Sequence, residues 1–208
     1  MNVDAVTIDA YGTLVRLRDP VPALRAALAD RGVERDADAV RQAFAAEVAF
    51  YVERSHEGRD ETTLALLRRE CAEVFLRAAG ARIDAGSFTQ AFVGTLAFDA
   101  EPGATDACRA LAAAGLKLAV VSNWDVGLHD HLRTVGLDEL VDVVVTSAEA
   151  GMAKPSPRIF EYALERLGAT AARAVHVGDQ AADAEGALAA GLAFEPAPLA
   201  DATRRILA

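Results

Sequence analysis

Residues 3–13 read Val-Asp-Ala-Val-Thr-Ile-Asp-Ala-Tyr-Gly-Thr, a short β-rich run closed by the turn signal Tyr11-Gly12-Thr13. This predicts a first strand over 3–9 that delivers Asp9 to its C-terminal end. From Pro20 to about Phe98 the rhythm changes: Ala, Leu, Arg and Glu dominate and apolar residues recur every three or four positions, so helices are expected near 20–31, 36–55, 60–79 and 84–96. The breaks at Arg31-Gly32, at His56-Glu57-Gly58 and at Ala79-Gly80 suit helix C-termini. Beyond Pro102-Gly103, strands are expected at 116–122, 142–147 and 174–178, with a last short one at 193–195. Helices near 104–114, 126–135, 156–167 and 183–190 separate them.

Such alternation marks a parallel sheet with helices on both faces, and the continuous apolar strands fit burial on both sides. The expectation is an α/β fold with a Rossmann-like sheet: residues 1–15 and 97–208 form the core, and 16–96 form an inserted four-helix module. No internal repeat or low-complexity tract interrupts it. The chain has 208 residues and is 52% hydrophobic, enough for a packed core.

A formal charge of −10 and a pI near 4.9 oppose nucleic acid binding, and no Lys/Arg cluster offsets them. No apolar run reaches the roughly 18 residues a membrane span needs. The N-terminal stretch carries Asp4 and Asp9 where a secretory signal would be uncharged. A cytoplasmic protein with an anionic small-molecule substrate is expected, with no nucleic acid and no membrane as partner. Cys71 and Cys108 lack the paired short spacing of a zinc or redox site and read as small apolar helix residues.

In open α/β sheets ligands bind beyond the carboxyl ends of the strands, and here those positions are polar. They are Asp9 and Thr13, then Ser122-Asn123, then Lys154 in Gly-Met-Ala-Lys-Pro, then Asp179 and Asp183 in Gly-Asp-Gln-Ala-Ala-Asp. Asp9, Asp179 and Asp183 would crowd one end of the sheet, which is costly unless a cation joins them. Mg²⁺, which prefers oxygen ligands, is the natural candidate.

These four segments, in this order and on these elements, resemble the four sequence motifs of the haloacid dehalogenase superfamily. The resemblance covers essentially the whole chain, and the helical insertion is similar in position to the family's first cap class. It implies that Asp9 is a nucleophile forming a covalent acyl intermediate that water then hydrolyses. It further implies that Thr13 and Ser122 donate hydrogen bonds to the transferring group or the nucleophile, and that Lys154 supplies steadying positive charge. Asp9, the main-chain carbonyl of Tyr11, and Asp179 would hold the metal, with Asp183 a direct or more distant ligand or the cap of its helix.

Two features pull in opposite directions. Phosphatases of the family carry a second aspartate where this chain has Tyr11, and a phenol, which ordinarily loses its proton near pH ~10, is a poor general base at pH 7. Asp-Ala-Tyr-Gly-Thr resembles instead the first motif of the 2-haloacid dehalogenases, which expel halide and need no such acid. Those enzymes work without metal and have a Ser/Asn arrangement where this chain has Gly178-Asp179, and a tyrosine where it has Phe160. They also need an insertion arginine, for which Arg41 and Arg54 are candidates. A Mg²⁺-dependent phosphatase is the preferred expectation; the alternatives are a metal-independent dehalogenase and a weakly active or non-catalytic phospho-ligand binder. Ser-Asn-Trp-Asp at 122–125 is similar to uncharacterised hydrolases of the superfamily. Tyr11, Asn123 and Trp124 are therefore expected along the substrate entrance, with Trp124 offering a rigid indole. His129, His131 and His176 read as structural.

Overall fold

The computed structural model describes residues 3–208. In chain order its elements are β1 (Ala5–Ile8), β2 (Val15–Leu17), α1 (Val21–Ala29), α2 (Ala37–Arg54), α3 (Glu61–Ala78), α4 (Ala85–Gly94), β3 (Phe98–Ala100), α5 (Ala104–Ala113) and β4 (Lys117–Ser122). There follow α6 (Leu128–Thr134), β5 (Val143–Thr146), α7 (Ser147–Ala150), α8 (Pro157–Leu167), β6 (Ala174–Gly178), α9 (Ala181–Ala189), β7 (Ala193–Pro196) and α10 (Leu199–Leu207). They divide into two compact units. One joins the segment ending at Arg16 to Asp99–Ala208; the other is Leu17–Phe98.

The first unit is an α/β layer built on a five-stranded sheet in the order β5-β4-β1-β6-β7, parallel at every pairing. Its central strands are Val- and Ala-rich and almost wholly buried, as a sheet covered on both faces requires. Ala5, Ala119, Val121 and Val145 pack with Ile159, Phe160, Ala163 and Leu164 of α8 on one face. The order reverses at β1, whose neighbours are β4 and β6, and this switch point is where a crevice opens at the carboxyl ends of the strands. Ile8 lies level with both Val120 and Val177, so the chain leaves β1, β4 and β6 at nearly one height.

The inserted unit is helical. Three of its four helices begin on an aspartate that accepts a main-chain N–H: Asp36 from Ala39, Asp60 from Thr63 and Asp84 from Ser87, each at 2.8 Å. Such caps satisfy donors that a helix start leaves unpaired. Gly32 and Gly80 end helices in the left-handed conformation, with φ of 75° and 61°, whereas Gly58 has φ −78° and follows a 3₁₀ turn over Ser55–Glu57. The unit's core centres on Phe75, Phe88 and Phe92, with ring centroids 5.3–6.4 Å apart. Two short strands lie outside the expected elements: β2 and β3 pair where the chain passes between the units. No helix among the described residues is long and apolar enough to cross a membrane.

Glu47, on the buried face of α2, is only 4% exposed, and burial pushes its carboxyl up to about 7 against the opposing hydrogen bond with the Cys71 thiol. A carboxyl raised in the folded state is a burden once the unfolded chain can ionise it. The cost from Glu47 should therefore be nil below about pH 4.5, grow as pH rises towards 7 and level off above. Glu47→Gln should leave stability at pH 4.5 nearly unchanged and raise it at pH 8 by on the order of 1–3 kcal/mol, measured by urea unfolding at both pH values.

Candidate active site

Asp9 follows directly on β1. Its main-chain N–H donates to the Val177 carbonyl at 2.9 Å, extending the β1–β6 ladder by one residue and fixing where the side chain starts. The next residues wrap around one carbonyl: the amides of Leu14 and Val15 reach the Ala10 oxygen at 2.8 and 2.9 Å. Gly12 makes this turn possible. Its φ is +81°, and a Cβ there would lie 2.5 Å from Asp179 Oδ2, so both backbone conformation and space demand glycine.

The Asp9 carboxylate is buried and asymmetrically bound. Oδ1 accepts from Ser122 Oγ at 3.0 Å and from Lys154 Nζ at 2.6 Å, which fills its two lone pairs. No hydrogen bond among the described residues uses Oδ2, leaving that oxygen able to attack. Lys154 Nζ also donates to Asp183 Oδ1 at 2.6 Å, so one ammonium bridges two carboxylates inside the protein. Thr13 Oγ1 is buried and has no hydrogen-bond partner among the described residues, an unusual state for a hydroxyl.

Asp183 lies in the first turn of α9. Its Oδ2 accepts from the Gln180 amide at 3.0 Å, and its Oδ1 accepts from His176 Nε2 at 3.1 Å as well as from Lys154. Helix capping and site building are thus done by the same carboxylate. Burial opposes its charge, but the hydrogen bond from His176 and the charge of Lys154 outweigh that and hold it well below the usual carboxylate range. Asp179, at the end of β6, is exposed. Its carboxyl is raised, first by partial desolvation and then by the charges of Asp9 and Asp183. One oxygen from each of these three carboxylates lies within 4.8 Å of the others. Burial also lowers the pKa of His176, outweighing the opposite pull of Asp183.

Asn123, exposed beyond β4, also supports the site from behind. Its Nδ2 donates to the Lys154 carbonyl at 3.0 Å and its Oδ1 accepts from the Lys154 amide at 2.7 Å, so it acts on the site by clamping the lysine's main chain. Gly186 of α9 supports the same segment, because a Cβ there would meet the Phe160 ring at 2.5 Å and the Pro155 carbonyl at 2.9 Å. Trp124 is 7% exposed, and its ring neighbours those of Tyr11 and His131 at centroid distances of 6.4 and 5.8 Å. Tyr11 is 47% exposed. His129 pairs with Glu149 at 3.0 Å, away from the carboxylate cluster's hydrogen bonds. His176, read from the sequence as structural, is brought to Asp183; its position two residues before Gly178, on the same side of the strand, is the sequence signal for that contact.

Residues 3–191 match the family model of haloacid dehalogenase-like hydrolases. The chain belongs to this hydrolase family. Over 205 residues it is 36% identical to the cattle haloacid dehalogenase-like hydrolase domain-containing protein 3, covering 92% of this chain and 80% of that protein. The mouse protein of the same name is 51% identical over 79 residues, a stretch that spans 38% of this chain and about a third (32%) of that relative. A ribulose-1,5-bisphosphate 5-phosphatase of Halopiger xanaduensis is 37% identical over 107 residues, 49% of this chain and 45% of the relative. Among solved structures, a defluorinating L-2-haloacid dehalogenase superposes with a TM-score of 0.78 at 22% identity, covering 99% of this chain and 96% of its own. That likeness speaks for the fold.

The clamp on Lys154 is open to a direct check. Asn123→Ala removes two hydrogen bonds and leaves a partly buried amide and carbonyl unpaired, so unfolding in urea should show a loss of about 1–3 kcal/mol.

Proposed function

We propose that this hydrolase is a Mg²⁺-dependent phosphatase of small phosphorylated metabolites, working in the cytoplasm through an aspartyl-phosphate at Asp9. The observation that carries the reading is the crowding of Asp9, Asp179 and Asp183 within 4.8 Å around a single lysine. Three carboxylates against one ammonium leave two negative charges in excess, which suits a divalent cation and would repel a bare carboxylate substrate. The oxygen-only donor set fits Mg²⁺: Asp9, Asp179 and the Tyr11 carbonyl would hold it, with the Asp183 carboxylate beside them. When bound, the ion supplies charge neutralisation at the transferring phosphoryl group.

The residues of the chain do the rest. Asp9 Oδ2 attacks phosphorus, a P–O bond forms to Asp9, and the bond to the leaving oxygen breaks with its electron pair. Water then cleaves the aspartyl-phosphate, releasing phosphate and restoring Asp9. Lys154 and Ser122 hold Oδ1, so the carboxylate presents its other oxygen. The partnerless Thr13 hydroxyl is a ready donor to a phosphoryl oxygen.

Tyr11 favours the second reading, a metal-independent 2-haloacid dehalogenase, since halide needs no proton. Against it, Arg54, a candidate halide acceptor, is already tied to Glu57 at 2.7 Å and to Glu70 at 3.2 Å, and Arg41 is paired with Asp38. The deciding experiment is turnover of phosphate esters and 2-haloacids, each with Mg²⁺ and with EDTA. Ester hydrolysis that EDTA abolishes is expected, together with a calorimetric Mg²⁺ site lost in Asp179→Ala; full activity on a haloacid in EDTA would put the dehalogenase first. In either case Asp9→Asn should fold normally and lose essentially all turnover, because an amide is no substitute for the attacking carboxylate.

Tyr11 also sets the range of leaving groups. With no carboxylic acid at that position, p-nitrophenyl phosphate should be cleaved far faster than an alkyl phosphate, whose leaving oxygen must be protonated. A general acid/base contributes about 10²–10⁴-fold, so Tyr11→Asp should raise kcat/KM on the alkyl ester at least ~10-fold and change the aryl ester less. Unchanged or lower alkyl activity in a folded, Mg²⁺-binding variant would show that the site was shaped for another leaving group.

A further inference from the structure

We propose that His176 is a positioning residue for the nucleophile: its Nε2–H fixes the Asp183 carboxylate, which in turn fixes the Lys154 ammonium against Asp9. The inference rests on the reading of Asp9 as the nucleophile. His176 sits inside β6, wholly buried, and touches neither Asp9 nor Lys154 by any hydrogen bond. Its Nε2 lies 3.1 Å from Asp183 Oδ1 and its Nδ1 lies 2.9 Å from Thr7 Oγ1.

The hydrogens on this chain can be assigned. An ionised carboxylate only accepts, so the hydrogen of the Asp183 contact belongs to Nε2. Nδ1 is then an acceptor, and the Thr7 hydroxyl donates to it. Thr7 is the residue of β1 directly in register with His176, so the sheet ladder itself supplies the group that sets the tautomer. Phe160 meets the imidazole edge-on at a centroid distance of 4.8 Å and an interplanar angle of 79°, which fixes the plane of the ring.

The consequence lies at Asp183. Its Oδ1 has two lone pairs, one taken by His176 and one by Lys154, while Oδ2 is tied to the Gln180 amide. Three donors from three directions hold the carboxylate in one orientation. Lys154 Nζ is thereby kept 2.6 Å from both Asp183 Oδ1 and Asp9 Oδ1. Without His176, Oδ1 would have a lone pair to offer, and the carboxylate could turn towards the ammonium and draw it from Asp9. Strand geometry accounts for the position. His176 and Gly178 share one face of β6, and a Cβ on Gly178 would lie 2.4 Å from the Asp183 carboxyl carbon. The glycine leaves the space through which Asp183 reaches the imidazole.

The test uses full-length protein with Mg²⁺ and p-nitrophenyl phosphate. His176→Phe keeps a planar ring and removes the donor, whereas His176→Gln keeps an N–H at the reach of Nε2. Loss of an outer partner of this kind typically costs about 10–100-fold, so kcat should fall by that factor in His176→Phe while KM moves less than about threefold. His176→Gln should recover most of the loss. Wild-type kcat in a folded His176→Phe protein, or a His176→Gln protein no better than it, would overturn the proposal, since packing alone predicts no rescue by a donor. If His176→Phe does not fold, ¹⁵N-edited NMR of the wild-type imidazole decides: hydrogen on Nε2 with Nδ1 bare is expected, and hydrogen on Nδ1 alone overturns it. That measurement needs no turnover. A wild type inactive on every phosphate ester therefore counts against the phosphatase reading, and the NMR result still judges the role of His176.

Discussion

A single buried ammonium holds the site together. Lys154 Nζ stands 2.6 Å from both Asp9 and Asp183, and all three side chains are nearly sealed from solvent. Removing such charges from water costs several kcal/mol per ion, recovered only when geometry is good and the remaining lone pairs are satisfied. Here Ser122, His176 and the Gln180 amide supply those further donors. The lysine is the member on which the others depend: taking it away leaves two carboxylates buried without their shared cation, whereas losing the charge of one carboxylate leaves Lys154 paired with the other.

The parallel sheet is what brings these residues together. Asp9, Ser122, Lys154 and Asp183 are spread over most of the chain, yet Asp9 and Ser122 lie just beyond or at the carboxyl end of a strand, Asp183 in the helix that follows β6, and Lys154 in the loop between α7 and α8. The reversal of strand order at β1 places Asp9 between the ends of β4 and β6, with Ser122 on one side and Asp179 on the other. Close approach then imposes its own demands on sequence. Gly12, Gly178 and Gly186 each stand where a methyl group would collide with Asp179, Asp183 or the Phe160 ring, so they are packing requirements of the acidic cluster and of the Lys154 segment.

The inserted helices follow a different logic, since their stability is local. Asp36, Asp60 and Asp84 start three of the helices, and the Phe75, Phe88 and Phe92 cluster supplies a core of its own. Glu47 is the exception within it, a carboxyl whose burial outweighs its hydrogen bond with the Cys71 thiol. Natural cores keep such groups at a cost in stability.

The long periodic elements were legible from sequence because amphipathic spacing and continuous apolar runs are local properties. The four insert helices, the strands now seen as β1, β4, β5 and β6, and the gathering of polar residues at strand ends all follow from them. Strands β2 and β3 were not legible, since three residues carry no period and they exist only by pairing with each other. Helix α10 was likewise missed behind Pro198, its apolar side set by Leu199, Ala202 and Ile206 meeting the core. At the site, the sequence alone determined which residue types arrive at the sheet's carboxyl edge. Tertiary structure alone decided that Asn123 clamps the Lys154 main chain, that Asp9 is held by one oxygen, and that His176 touches Asp183. Those facts are hydrogen bonds between residues up to 145 positions apart, and the direction of a hydrogen bond is fixed by where the neighbouring strands end.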